Sequence, residues 1–246
     1  MPDTGHLTLG RLGYSMGADA PAYPPPPYYY RNARSLSVTF ETDREAVRQA
    51  LPAGLGVTAT PTADLSFFEY PFTTLGSYRE AILSLLVEHR GRQMLYIQQI
   101  MVDAEPPLLA GREIWGFPKK LAAIEFGVDR DMFYGTMARP AKIRLASAVV
   151  RPERPAAVIA PQPPVASLRL IPATEGAGHR PLCAEIIETL PEVKVHEAWE
   201  GTGSASFPEQ SALDPWSRFP VRRVIGATTR VYDMLLPGGK VIERLE

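Results

Sequence analysis

Apolar and polar positions alternate with a period of two along most of this chain. In "SLSVTFE" (35–41), Leu36, Val38 and Phe40 fall on one face and Ser35, Ser37 and Thr39 on the other, the pattern of a half-buried strand. "DLSFFEYPF" (64–72), "MLYIQQIMV" (94–102) and "KIRLASAVV" (142–150) also read as strands, and so do "ASLRLIP", "EVKVHEAW", "RRVIGATTRVYDMLL" and "KVIERL" in the C-terminal third. A hairpin is expected at Pro237, Gly238 and Gly239. One short helix is expected over "TDREAVRQALPAG": Thr42 and Glu45 have capping-box spacing, Ala46, Val47, Ala50 and Leu51 form an apolar stripe, and Pro52 with Gly54 ends it. "YREAILSLLVEHR" (78–90) fits two patterns, a helix with Ile82, Leu85, Leu86 and His89 as its stripe, or a strand buried on both faces. Propensity favours the helix and the neighbouring strands favour a strand.

Proline marks the organisation between these elements. "APAYPPPPYYYRN" (20–32) begins as a polyproline stretch that cannot donate backbone hydrogen bonds, so residues 1–30 read as a proline-rich arm extended over the surface. "RPERPAAVIAPQPP" (151–164) reads as a long connecting loop. The strands on either side of it look alike, no internal repeat is present, and residues 1–246 are taken as a single domain.

Composition narrows the class. A chain of 246 residues with 45 % hydrophobic and 22 % charged residues can bury a sizeable core as a soluble globular protein. A net charge of -1 supplies no long-range field to gather nucleic acid or an anionic membrane, so neither is an expected partner. Cys183 is the only cysteine, which excludes an internal disulfide and a cysteine-rich metal site. With no leader pattern and no apolar run long enough to span a bilayer, the expected location is the cytoplasm. There is no phosphate loop, dinucleotide fingerprint, nucleophile elbow or histidine pair at metal-binding spacing, and His6, His89, His179 and His196 read as surface or packed residues.

Against that background two adjacent lysines stand out in a chain that has only five. In "AGREIWGFPKKLAAIEF" (110–126), Lys119 and Lys120 keep apolar company. If residues 117–121 are extended, Phe117, Lys119 and Leu121 share one face and Lys120 points to the other. Desolvation of a buried Lys119 would favour its neutral amine, which can attack a ketone to give a Schiff base. The alternative is a pair of surface lysines at a turn near Pro118. A carboxylate at Glu69, on the same face of its strand as Leu65 and Phe67, is misplaced unless that face lines a pocket.

"GREIWGFPKKLA" resembles the active-site segment of the acetoacetate decarboxylase family, and "VHEAWEG" (195–201), with the preceding "LRLIP" (168–172), resembles its C-terminal signature. The similarity runs from about Tyr28 to the C-terminus. It implies a mainly β fold, antiparallel and barrel-like, with a few short helices. It also implies a homo-oligomer, a small oxo-acid substrate, and neither metal nor organic cofactor. It turns residues 78–90 into a strand. By the same resemblance Lys119 falls on the Schiff-base lysine, and Lys120 on the neighbour credited with lowering its pKa. Because adjacent side chains on a strand diverge, burial is expected to contribute more than Lys120. Glu80 matches the family's essential acidic residue and Glu69 the second one. The family's arginine position falls on Ala33, with Arg31 and Arg34 nearby; a one-residue shift would supply Arg34, which alternation otherwise turns to the opposite face.

That departure leaves two expected activities. One is decarboxylation of acetoacetate or a related 3-oxo acid. The other is a non-decarboxylating pyruvate aldolase-dehydratase, or hydratase of an unsaturated 2-oxo acid, working through the same imine. Tyr78, two residues from Glu80 and on its face, is a candidate proton donor. Trp115, Phe117 and Met101 are candidates to shape the pocket or to be ordinary core, and one of Gln98 and Gln99, which straddle a strand, should face the cavity. A non-catalytic binding barrel is the third reading, disfavoured because Lys119, Glu80 and Glu69 occur together.

Overall fold

The computed structural model describes residues 3–157 and 163–245. Strand dominates: β1 (Tyr28–Glu41), β2 (Gly56–Val57), β3 (Thr62–Tyr70), β4 (Phe72–Thr73), β5 (Tyr78–His89), β6 (Arg92–Val102), β7 (Lys119–Leu121), β8 (Ala123–Asp129), β9 (Met132–Ala138), β10 (Arg144–Pro155), β11 (Val165–Ile171), β12 (Cys183–Thr189), β13 (Glu192–Ser206), β14 (Arg223–Leu236) and β15 (Lys240–Arg244). Two short α-helices, α1 (Arg44–Ala50) and α2 (Glu105–Ala110), interrupt them, and a π-helical turn (Gly111–Trp115) continues α2.

The strands form one open sheet in the order β15-β12-β11-β6-β5-β3-β1-β14-β13-β10-β9-β8, with β2, β4 and β7 attached to β5, β1 and β6. Its barrel-like curl comes from the far end folding back, so that β8, β9 and β10 pack over β1, β3 and β5. Pairing is antiparallel except where β6 meets β7 and β11. Leu36, Val38, Phe40, Leu65, Phe67, Leu83 and Leu85 are fully buried in the fold-back, against Ile124, Phe126, Met137, Leu145 and Val150. Each such side chain contributes about 1.5–3 kcal/mol by leaving water, which is why the period-two signal is so regular in these strands. A second cluster lies on the other face of the same strands and joins Tyr28, Tyr30, Tyr70, Tyr78, Ile100, Trp115, Phe117 and Tyr232. Residues 78–90 are therefore apolar on both faces because both faces are covered.

Several local expectations give way. Helix α1 is capped by Asp43, whose carboxylate accepts from the Ala46 amide at 2.9 Å; Thr42 lies one residue too early and its hydroxyl is buried without a partner. The arm ends earlier than residue 30, since Tyr28–Tyr30 already belong to β1, and its Tyr23 is buried against the body. The expected loop from 151 starts later: β10 runs on to Pro155, with a register shift between Pro152 and Arg154 that accommodates the prolines, and residues 158–162 of that stretch lie outside the described residues. No hairpin forms at Pro237–Gly239, because β14 pairs with β1 and β13 while β15 crosses over to β12. Gly239 has no room for a side chain beside Ile187 and Trp115, so this glycine serves a close crossing. Among the described residues, no helix is long and apolar enough to cross a membrane.

Candidate active site

The π-helical turn sets the geometry. It ends at Gly116, in a left-handed conformation at φ 73°, and the chain then enters β7 extended. Extension turns Lys119 inward and Lys120 outward, as the alternation of 117–121 predicts. The fit around the inward side chain is close: a Cβ on Gly111 would stand 2.6 Å from the Lys119 Cδ.

Lys119 Nζ donates to Glu80 Oε2 at 2.7 Å, and both side chains are 6 % exposed. Glu80 comes from β5, opposite Phe68 of β3. Tyr70 donates to the other carboxylate oxygen of Glu80 at 3.3 Å, and the Tyr30 and Tyr78 hydroxyls are 3.0 Å apart. The Lys119 ammonium lies 5.6 Å from the Tyr78 ring centre and 5.9 Å from that of Phe117. Burial raises the phenols of Tyr30, Tyr70, Tyr78 and Tyr232 well above the ordinary tyrosine range, and the nearby Glu80 carboxylate pushes in the same direction. All four stay protonated and can donate. These groups, with Ile82, Ile97, Ile100 and Val165, enclose a cavity of about 140 Å³.

Other candidate residues lie elsewhere. Lys120 Nζ donates to Asp214 Oδ1 at 2.6 Å and to the Leu213 carbonyl at 2.8 Å, and Arg139 holds the second Asp214 oxygen at 3.1 Å. Lys120 is thus turned away from Lys119 and engaged by a buried carboxylate. Glu69 shares the Phe67 face of β3, as its alternation requires, but that face does not line the Lys119 cavity: Glu69 pairs with Arg34 at 3.0 Å and Arg79 at 3.4 Å. Arg34 also stacks over Phe126, 5.5 Å from its ring centre, on the fold-back side. Arg31 is exposed and binds Asp233 at 2.9 Å. Neither arginine reaches Lys119, and Ala33, on the cavity face, is fully buried beside the tyrosines. Met101 belongs to the opposite core. Trp115 sits behind Phe117, their rings stacked 5.5 Å apart, and donates to the Pro237 carbonyl at 3.1 Å. A register shift in β6 carries Ile97 and Ile100 into the Lys119 cavity in place of the glutamines; Gln99 lies opposite Leu83, and Gln98 faces a different cavity near Arg112.

Tyr30, Tyr70 and Tyr232 are not among the site residues expected from the sequence. Tyr70 had a legible signal, since it alternates with Phe68 on the face opposite Glu69. Tyr30 had none, because its facing depends on a bulge in β1 between Tyr30 and Ala33.

Comparison with known proteins bears on this geometry. The family profile described as acetoacetate decarboxylase (ADC) matches residues 15–245. The chain belongs to the acetoacetate decarboxylase family. Among curated members of that family, acetoacetate decarboxylase 2 of Mesorhizobium japonicum is 32 % identical over 242 residues, covering 96 % of this chain and 90 % of the relative. The acetoacetate decarboxylase of Acidiphilium cryptum is 28 % identical, covering 96 % of each. The crystal structure of acetoacetate decarboxylase from Legionella pneumophila superposes with a TM-score of 0.86 at 27 % identity, covering 99 % of both chains. The enduracididine biosynthesis enzyme MppR complexed with pyruvate shares the fold alone, with a TM-score of 0.79 at 20 % identity and coverage of 95 % and 98 %.

Proposed function

We propose that this member of the family is a lyase that forms a Schiff base between Lys119 and a small oxo acid, and that it decarboxylates acetoacetate or a related 3-oxo acid. The observation that carries the reading is the 2.7 Å contact between Lys119 Nζ and Glu80 Oε2, both side chains being almost fully buried at the cavity wall. Glu80 takes a proton from Lys119, and the neutral amine attacks the ketone carbon. Loss of water from the carbinolamine, with a proton supplied from Glu80 or Tyr78, leaves a protonated imine. The bond to the carboxylate carbon then breaks, its electron pair moves into the imine as an enamine, and carbon dioxide leaves. Protonation of the enamine carbon and hydrolysis release the ketone and restore Lys119. The aromatic wall favours this step, because a carboxylate denied water and a counter-cation is lost more readily than a solvated one.

A second reading rests on Ala33. Where the family's arginine would stand there is a methyl group, and four protonated tyrosines surround the lysine instead. Such donors suit an aldol condensation of pyruvate followed by loss of water, or the reverse hydration, and MppR carries pyruvate on the same fold.

Incubation with acetoacetate and borohydride, followed by intact mass and peptide mapping, decides between them. An adduct on Lys119 that has lost carbon dioxide supports the decarboxylase. A pyruvate adduct on Lys119, with acetoacetate trapped only with its carboxylate intact, moves the activity to the aldol or hydratase class. No adduct from either acid would overturn the Schiff-base reading.

A further inference from the structure

The lysine cavity shares part of its wall with a neighbouring one. Asp64, Ser66, Phe68, Leu95 and Tyr232 also line a second cavity of about 310 Å³, more than twice the volume of the first. Its character is different. Ser35, Ser37, Thr39 and Thr228 present hydroxyls where the lysine cavity presents aromatic rings, and Arg230 lies among them.

Several polar groups of this wall are engaged with one another. Ser37 and Ser66 share a hydrogen bond at 2.7 Å, Thr39 donates to Asp64 at 2.7 Å, and Ser66 donates to the other Asp64 oxygen. Burial pushes the Asp64 carboxyl up, against those two hydroxyls and the field of Arg230, which draw it down. The Arg230 guanidinium makes no hydrogen bond and no ion pair among the described residues. An unpaired guanidinium on a cavity wall is a fork of donors matched to a carboxylate.

Register places it relative to the chemistry. Glu80, Phe68, Ser35 and Arg230 stand opposite one another on four successive strands, β5, β3, β1 and β14, and all face the cavities. Three strand spacings separate the Glu80 and Arg230 backbones, about 14 Å before the curl of the sheet shortens it. The carboxylate of acetoacetate is two carbons from the carbonyl that Lys119 would attack, so it remains in the lysine cavity. A group on Arg230 must be the far end of a longer molecule.

We propose that the substrate is an oxo acid carrying a second, terminal carboxylate, that it spans the two adjoining cavities, and that Arg230 is the specificity-determining residue that holds that carboxylate at the far end. The claim rests on the Schiff-base reading for what happens at the near end and on Arg230 alone for the far end.

The test compares 3-oxooctanoate with 3-oxooctanedioate, acids of equal length that differ in the terminal carboxylate. The wild-type protein should show a KM lower for the dioate by about tenfold or more, the scale of a charge-assisted pair. Arg230→Gln should remove that preference, raising the KM for the dioate by about tenfold more than for the monoacid, with kcat little changed, and Arg230→Lys should restore part of it. Circular dichroism and the urea midpoint check that the variants fold. Equal KM values in the wild type, or equal losses for both acids in Arg230→Gln, would overturn the assignment. If borohydride traps neither acid on Lys119, the Schiff-base reading fails. The Kd of octanedioate against octanoate, by calorimetry on wild type and Arg230→Gln, then still decides the role of Arg230: an unchanged ratio refutes it.

Discussion

At the scale of single residues, the two adjacent lysines have divided their work because a strand sends neighbours to opposite sides. Lys119 meets Glu80 where both side chains are almost fully buried, whereas Lys120 reaches a buried carboxylate, Asp214, on the outer side. A role for Lys120 in perturbing Lys119 would need its charge to face the cavity, and it is spent on Asp214. Lys120→Ala should therefore act mainly on stability. It leaves Asp214, 4 % exposed, with Arg139 as its one remaining ion-pair partner among the described residues, at a cost of about 1–2 kcal/mol once the solvent exposure of Lys120 is allowed for. The expected result is a lower urea midpoint with the rate of borohydride trapping on Lys119 near pH 7 reduced less than about threefold. A large loss of trapping with unchanged stability would return Lys120 to the chemistry. Much of this was legible beforehand: the inward Lys119, the outward Lys120 and the facing of Tyr78 all follow from period-two geometry. Glu69 shows where that geometry stops, because alternation assigned its face correctly and could not say which face held the cavity.

At the scale of elements, the bulge in β1 is the feature on which the site depends most. Asn32 takes a left-handed conformation at φ 52°, the pairing with β14 skips between Tyr30 and Ala33, and two residues three apart come to share the cavity face. Asp233 of β14 fastens the bulge: it accepts from the Asn32 amide and from Arg31, both at 2.9 Å, and lies 3.3 Å from His196. The Asn32 amide foremost, with Arg31 and His196, holds the Asp233 carboxyl at about 2. Its folded value is below that of an unfolded aspartate, so the folded state binds fewer protons in that window. The stabilisation is complete above about pH 4 and is lost as pH falls toward about 2. Asp233→Asn should lower the urea midpoint at neutral pH, and the gap from wild type should close as the pH is taken down through that range. A gap that stays constant with pH would mean the carboxylate charge is not what fastens the bulge. No local sequence pattern announces this bulge, since "YYYRNARS" reads equally well as an uninterrupted strand.

At the scale of the whole molecule, β1, β3, β5 and β6 carry the fold-back core on one face and the lysine cavity on the other, so neither side can open while the other stays packed. Trp216 reports on the first and Trp115 on the second, and both are buried. Variants keeping only one of these tryptophans, with phenylalanine at the others, should give the same urea midpoint for both reporters and for far-UV circular dichroism. Separate midpoints would show that the two faces unfold independently. The sequence by itself determined the strand-rich class, the facing of most side chains and, through "GFPKKLA", the family, because these depend on spacing along one chain. Tertiary structure decided which face became the cavity, that β15 leaves β14 for β12, and that Glu80, Tyr30 and Arg230 share one surface. Those outcomes depend on pairings between strands far apart in sequence, where the energy of covering a face outweighs any preference written into the local residues.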